Sequence, residues 1–367
     1  MDPKQRRSHR LRWIALAAAL LVLGALVLSL GEREPAPVER TRVDFPSHMR
    51  PAEEERARTR ATLVLPQVPG PGPAPAGPPP RRDPFLVSLP VTADRPVVVL
   101  EANALRHSRL GERLVACLLA RDPDTFAKIE RELGVDPLKD VDRVGFAGDS
   151  VVVSGFFDRM RRDQLERNAD VSAYGDGGRV YRQRGGGGGP ALATWGDGLV
   201  LMGDEASLRR SIDQLEGRAP APETGIPEDM AYGEAYGVVP GSAVERLFGQ
   251  KDPELAQRIA AAASRVEFHV DAMNDVASVV RVRGDDGAGL TDIARSIGGA
   301  LAAARVEAQA KDDKRMAELL EHARVLDDKG SFSVEMALSG DRVEQLFEGC
   351  EKAAGPRQAP PAPAGQP

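Results

Sequence analysis

Apolar and polar positions divide the chain into regimes with different periods. Residues 13–30, WIALAAALLVLGALVLSL, hold no charge. As a helix rising about 1.5 Å per residue they reach about 27 Å, close to the hydrocarbon thickness of a bilayer. Residues 31–90 lack a periodic apolar stripe and are dense in proline, culminating in PGPGPAPAGPPP at 69–80. That composition buries too little to offset the entropy of ordering and predicts a disordered linker. Within it, PAEEERARTRAT at 51–62 sets Glu54 four residues before Arg58, a solvated helical run without the apolar seam of a coiled coil.

From Pro96 onward the pattern alternates between strand and helix periods. PVVVLEA reads as a buried strand. Residues 105–120 place Leu110, Leu114, Val115, Leu118 and Leu119 on one broad helical face. Asp122 and Pro123 open a second helix as N-cap and first helical residue, and Gly134 stops it. VDRVGFAGDSVVVSGFFD predicts two strands around a Gly-Asp turn, followed by a helix over 159–168. GGRVYRQ and ALATWGDGLVLMGD continue the strand pattern, the latter turning at 196–198; a helix over 204–215 ends at Gly217, and RAPAPETGIPED is a connector.

The second half repeats this order. DPDTFAKI at 122–129 returns as DPELAQRI at 252–259, and LVLMGDEASLRRSIDQLEG is echoed by FSVEMALSGDRVEQLFEG. The strand pairs DRVGFAG and SVVVSGFF find counterparts in SRVEFHVD and DVASVVRVRG. We expect an α+β fold: two degenerate copies of a strand-helix-helix-strand-strand-helix unit, lobe 1 at 96–217 and lobe 2 at 230–349, behind one N-terminal transmembrane helix. Helices over 290–310 and 311–326 stand in the second copy where the first has its glycine-rich hairpin. Residues 351–367 read as a disordered tail.

Charge orients the apolar segment. Lys4, Arg6, Arg7, Arg10 and Arg12 precede it against Asp2, whereas Glu32 and Glu34 follow. The positive-inside rule therefore makes residues 1–12 a cytoplasmic basic tail and exports the rest. The run is longer than that of a cleaved signal peptide and ends on neither a small-residue cleavage site nor a cysteine for lipid attachment. The exported part is acidic by about ten charges, the wrong sign for phosphate-driven nucleic-acid binding.

Candidate chemistry is sparse. RQRGGGGGP at 182–190 is followed by a strand, without the lysine, hydroxyl or helix of a phosphate loop, so it predicts a flexible hairpin with Arg182 and Arg184 beside it. No catalytic signature of the G-x-S-x-G, S-x-x-K or H-E-x-x-H type occurs. His107, His269 and His322 fall on separate predicted elements. In RVEFHVDA, alternation sets Glu267, His269 and Asp271 on one strand face, a candidate polar strip that the solvent face of a half-buried strand would equally produce. Asp136, Asp140, Asp142, Asp285 and Asp286 lack calcium-loop spacing and fit caps and turns. Trp195 with few other aromatics makes a weak sugar platform. Cys117 and Cys350, in an oxidising compartment, are the candidate disulfide, with a buried free thiol at Cys117 as the competing reading. No catalytic, cofactor or metal residue is singled out.

Anchor, proline-rich tether and duplicated unit with its Gly-Val-Asp-Pro turn resemble the membrane-anchored exported proteins of Gram-negative bacteria. The resemblance covers layout, implies the periplasmic address, and carries no functional residues. The expected function is a non-enzymatic envelope protein: an inner-membrane, single-pass chain contacting the lipid bilayer through residues 13–30, with a periplasmic module that binds or scaffolds an envelope protein or a hydrophobic ligand. The alternative is an exported hydrolase whose carboxylates and histidine meet only in the fold.

Overall fold

A computed structural model of the chain describes residues 50–51, 53–55, 63–64, 81–185, 189–249 and 253–353. The apolar segment 13–30, most of the proline-rich stretch, the centre of the glycine run and the tail from 354 lie outside the described residues. Among the described residues no helix is long and apolar enough to cross a membrane.

The protein is α+β. A two-residue ladder joins β1 (Leu63–Val64) to β2 (Arg81–Arg82). A short helix, α1 (Pro84–Val87), precedes the first long-range strand, β3 (Val97–Leu100). Helices α2 (Ala102–Arg106), α3 (Arg109–Arg121) and α4 (Pro123–Leu133) follow, then β4 (Val141–Ala147), β5 (Ser150–Gly155) and α5 (Arg162–Asn168). Four strands, β6 (Ala169–Tyr174), β7 (Gly178–Gln183), β8 (Ala191–Trp195) and β9 (Leu199–Gly203), lead to α6 (Glu205–Leu215). The second half holds β10 (Ala235–Pro240), α7 (Gly241–Phe248), α8 (Pro253–Ala262), β11 (Arg265–Asp271) and β12 (Val276–Arg283). It closes with α9 (Gly287–Ala310), α10 (Lys314–Glu321), β13 (Arg324–Asp328), β14 (Ser331–Leu338) and α11 (Gly340–Ala353).

Twelve strands form one antiparallel sheet, ordered β13-β14-β12-β11-β10-β3-β4-β5-β9-β8-β7-β6. The first strands of the two halves, β3 and β10, pair directly at its centre, with Val99 opposite Tyr236. A central strand meets neighbours on both sides and side chains on both faces, which is why Val97, Val98 and Val99 are consecutive apolar residues and all buried. On one face Val97, Val99, Val152, Leu201 and Val180 pack with Phe85 of α1 and Leu208, Ile212 and Leu215 of α6. On the other, Val282 and Phe332 pack with Leu290, Ile293 and Ala294 of α9. Helix α3, from the first half, lies against α11, from the last, in a cluster of Leu110, Cys117, Val276, Val343 and Phe347. The halves thus share a sheet and exchange helical contacts.

Several expectations are corrected. The folded chain begins before Pro96: Phe85, Val87 and Leu89, inside the stretch read as linker, belong to the core. They fit because Gly145 offers no side chain; a Cβ there would sit 2.6 Å from Leu89 Cδ2 and 2.9 Å from Phe85 Cζ. Asp83 caps α1, its Oδ1 accepting from the Phe85 N–H at 3.0 Å. Two residues further upstream also touch the fold: Arg50 pairs with Asp271 at 2.8 Å and buried Glu53 accepts the Gly233 N–H at 2.9 Å. The single helix expected over 105–120 is two, because Ser108 accepts from the Gly111 N–H at 3.0 Å and recaps the chain. The helix expected through 326 stops at Glu321, and 324–328 is strand β13. Asp312, at φ 52, and Asp313, whose Oδ1 accepts from the Met316 N–H, separate α9 from α10 and delay the start of α10 to Lys314.

Candidate functional site

The polar strip is brought together, but not where alternation suggested. Glu267, His269 and Asp271 share one face of β11 and are 0%, 2% and 1% exposed. This face is inside because Tyr232, Arg50 and Glu53, from elsewhere in the chain, lie over it. Three arginines surround Glu267: Arg265 at 2.6 Å, Arg283 at 3.0 Å and Arg281 at 3.6 Å. A carboxylate withdrawn from water needs such partners. The His269 ring packs against Tyr232 at a tilt of 39°, centroids 4.2 Å apart. Burial, then the charge of Glu53, pushes the Tyr232 hydroxyl up to about 12. Asp271 takes Arg50 and the Met273 N–H. The strip is a packed polar layer.

Cross-strand register links this layer to an open cleft. His269 lies opposite Tyr236 and Tyr236 opposite Val99. The Tyr236 hydroxyl donates to Glu101 Oε1 at 2.9 Å, and Glu101, just after β3, lines a cleft of about 530 Å³. Its walls are the start of α1, the start of α2, the end of β5 and the β8–β9 hairpin. Between Val141 and Arg143 the β4–β5 register shifts, a bulge of the kind that re-aims side chains. Past it, Arg143 and Ser154 are direct cross-strand partners, and Ser154 and Leu199 follow in the same row.

Arg143 is buried, with both terminal nitrogens on the Asp83 carboxylate, and its guanidinium stands 4.3 Å over the Phe85 ring. Burial works against its charge, but the hydrogen bond and charge of Asp83, helped by Glu101, hold its pKa above the usual arginine value. Arg143 Nε, 3.7 Å from Asp142, makes no hydrogen bond, and neither does Ser154 Oγ, although Ser154 is only 7% exposed. At the mouth stands Phe156, 74% exposed. Its backbone is pinned: Phe156 N–H donates to Asp140 O at 2.8 Å and Phe157 N–H to Asp197 O at 2.9 Å.

Asp142 and Trp195 line the cleft, whereas the other sequence candidates stay apart. His107 ends α2 and His322 follows α10, remote in the topology from His269. Asp136 and Asp140 close their own turn, and Asp286 caps α9 by accepting from the Gly289 N–H. Among the described residues no group of three His, Cys, Asp or Glu could hold a metal ion. Arg182 pairs with Glu205 and Arg184 with Asp170, so the arginines beside the glycine run have partners. Cys117, on α3, is disulfide-bonded; the chain's other cysteine, Cys350, lies on α11.

Sequence reasoning passed over Glu101, Asn103, Arg143, Ser154 and Phe156. One signal was present in SGFFD: adjacent residues of an extended chain point to opposite faces, so Phe156 and Phe157 cannot both face the same core. The chain matches no family model, no curated protein and no solved structure.

Proposed function

We propose that this chain is a non-enzymatic, membrane-anchored envelope protein whose folded part is a binding module, with the cleft beside Arg143 as its ligand site. The observation that carries the reading is a built recess. Two buried polar groups on paired strands lack hydrogen-bond partners, and an aromatic on hydrogen-bonded backbone faces solvent at the rim. Buried polar atoms are ordinarily satisfied, and the exceptions mark function or a missing ligand. The hydrolase reading is weaker because His269 is packed under Tyr232, away from the cleft.

The anchor at 13–30 and the periplasmic address rest on the apolar run and its charge flanks. The exported proteins that the layout resembles fit the same picture. Duplication is supported by topology: read outward from the centre, β3-β4-β5-β9-β8 and β10-β11-β12-β14-β13 occupy matching places. The β6–β7 hairpin is then an insertion on the first copy.

The test is a thermal-shift and ligand-observed NMR screen of the full-length chain against sugars, amino acids, lipids and nucleotides, repeated on Phe156→Ala and Ser154→Val. We expect at least one class of binder whose signal weakens in both variants. Binding that ignores both substitutions, or no binding at all, would remove the cleft as the functional site.

A further inference from the structure

We propose that the cleft takes a saccharide. The proposal rests on the reading of the cleft as a ligand site and adds its chemical class. Arg143 Nε–H can only donate, and Ser154 Oγ can donate or accept; side by side on β4 and β5, they ask for an oxygen acceptor. An anion does not fit that request. The charge of Arg143 is already taken by Asp83, and the carboxylates of Glu101, Asp142 and Asp197 also line the walls. A cation does not fit either, since the Arg143 guanidinium is itself a fixed positive charge in the recess and its unsatisfied Nε–H would point a hydrogen at it.

A neutral molecule carrying many hydroxyls satisfies both sides. Its oxygens accept from Arg143 and Ser154, while its O–H groups donate to Glu101, Asp142 and the amide oxygen of Asn103. A pyranose ring also has a flat C–H face, and Phe156 presents an exposed ring for it. Because the backbone on either side of Phe156 is hydrogen-bonded, displaying that ring adds little backbone ordering cost on binding. The volume of about 530 Å³ lies within the range of small-ligand sites.

Trp195 lines the same cleft, and the only other tryptophan is Trp13. Full-length Trp13→Phe protein therefore reports on the site through one fluorophore. It is titrated with linear tetrasaccharides of glucose, N-acetylglucosamine, mannose and galactose, and in parallel with inorganic phosphate and tetramethylammonium chloride. The expected result is a saturable change with at least one tetrasaccharide and none with the two ions. Phe156→Ala should weaken binding about ten-fold and Ser154→Ala roughly three-fold, both with an unchanged circular dichroism spectrum.

Saturation by phosphate or tetramethylammonium alone, lost in Phe156→Ala, would leave a ligand site and overturn the saccharide assignment. Silence from every probe here, together with a Phe156-independent screen, would overturn both. Saccharide binding indifferent to Phe156 and Ser154 would also overturn this inference. Cleavage of a bound tetrasaccharide would support the ligand class and refute the non-enzymatic reading.

Discussion

Phe85 stands in a stretch whose composition reads as linker, yet it is 1% exposed, so Phe85→Ala separates the two descriptions. If the segment were a tether, truncation would leave stability within about 0.5 kcal/mol. In the structure the ring fills the space over Gly145, shares a buried cluster with Leu89, and lies under the Arg143 guanidinium at 4.3 Å. Burying and then truncating a phenylalanine costs about 3–5 kcal/mol. The upper part of that range applies, because Gly145 has no side chain to move into the void. Loss of the cation–π contact with a desolvated arginine adds about 1–2 kcal/mol. The expected total is about 5–7 kcal/mol, a large fraction of the roughly 5–15 kcal/mol that holds a typical domain folded. Urea unfolding followed at 222 nm should show a midpoint lowered by more than about 1 M at an unchanged slope. Phe156→Ala, at an exposed site one strand away, should leave the midpoint in place. A loss below about 1 kcal/mol for Phe85→Ala would refute the placement of α1 in the core.

Two further outcomes follow from the same packing. Thiol titration of the unfolded, unreduced chain should find neither Cys117 nor Cys350 reactive. Reduction should then expose two thiols and lower stability by up to about 5 kcal/mol, because the bridge would close a loop across most of the fold; two thiols without reductant would sink the bridge. Tyr232 should ionise near pH 12 in the native protein, against about 10 when unfolded. A raised folded pKa means that its contribution to stability is complete below pH 10 and is lost as pH climbs towards 12. Absorbance at 295 nm checks this, and an unaltered high-pH phase in Tyr232→Phe would assign it elsewhere.

What could be read from the residues was local. The Asp122-Pro123 cap, the glycine stops at Gly134 and Gly217 and the apolar run PVVVLEA mark elements that form, because each depends on neighbours a few positions away, whereas the stop expected at Gly349 fails, α11 running through it to Ala353. The same phrase at Asp83-Pro84 signalled α1, but the prolines around it masked the signal. The polar strip shows the limit of periodicity: alternation groups Glu267, His269 and Asp271 correctly on one face, but cannot say what covers that face. Here the cover includes Arg50 and Glu53, more than two hundred positions away. Cleft residues escaped for a related reason. Arg143 and Ser154 meet only through a bulged register, and Glu101 joins them from the link between β3 and α2.

The contacts of Arg50 and Glu53 also change what the proposed tether can do. With the proposed anchor ending near residue 30 and the fold taken to begin at 96, some sixty residues could extend at most about 200 Å, at about 3.3–3.6 Å per residue. Once Arg50 is fixed on Asp271 and Glu53 on Gly233, only about twenty residues separate anchor from fold. The same arithmetic then limits the reach to roughly 70 Å. The ends of this bound are set by different physics. Residue 50 is held by an ion pair whose arginine is 30% exposed and whose aspartate is buried. Such a pair gains more than a surface pair because one partner is desolvated, and it is weakened by anything that protonates or competes for Asp271. The polar layer on β11 therefore has a mechanical consequence as well as a structural one. By holding the strap it sets how far from the proposed bilayer the cleft can travel, and its Tyr236–Glu101 hydrogen bond joins that same layer to the cleft wall.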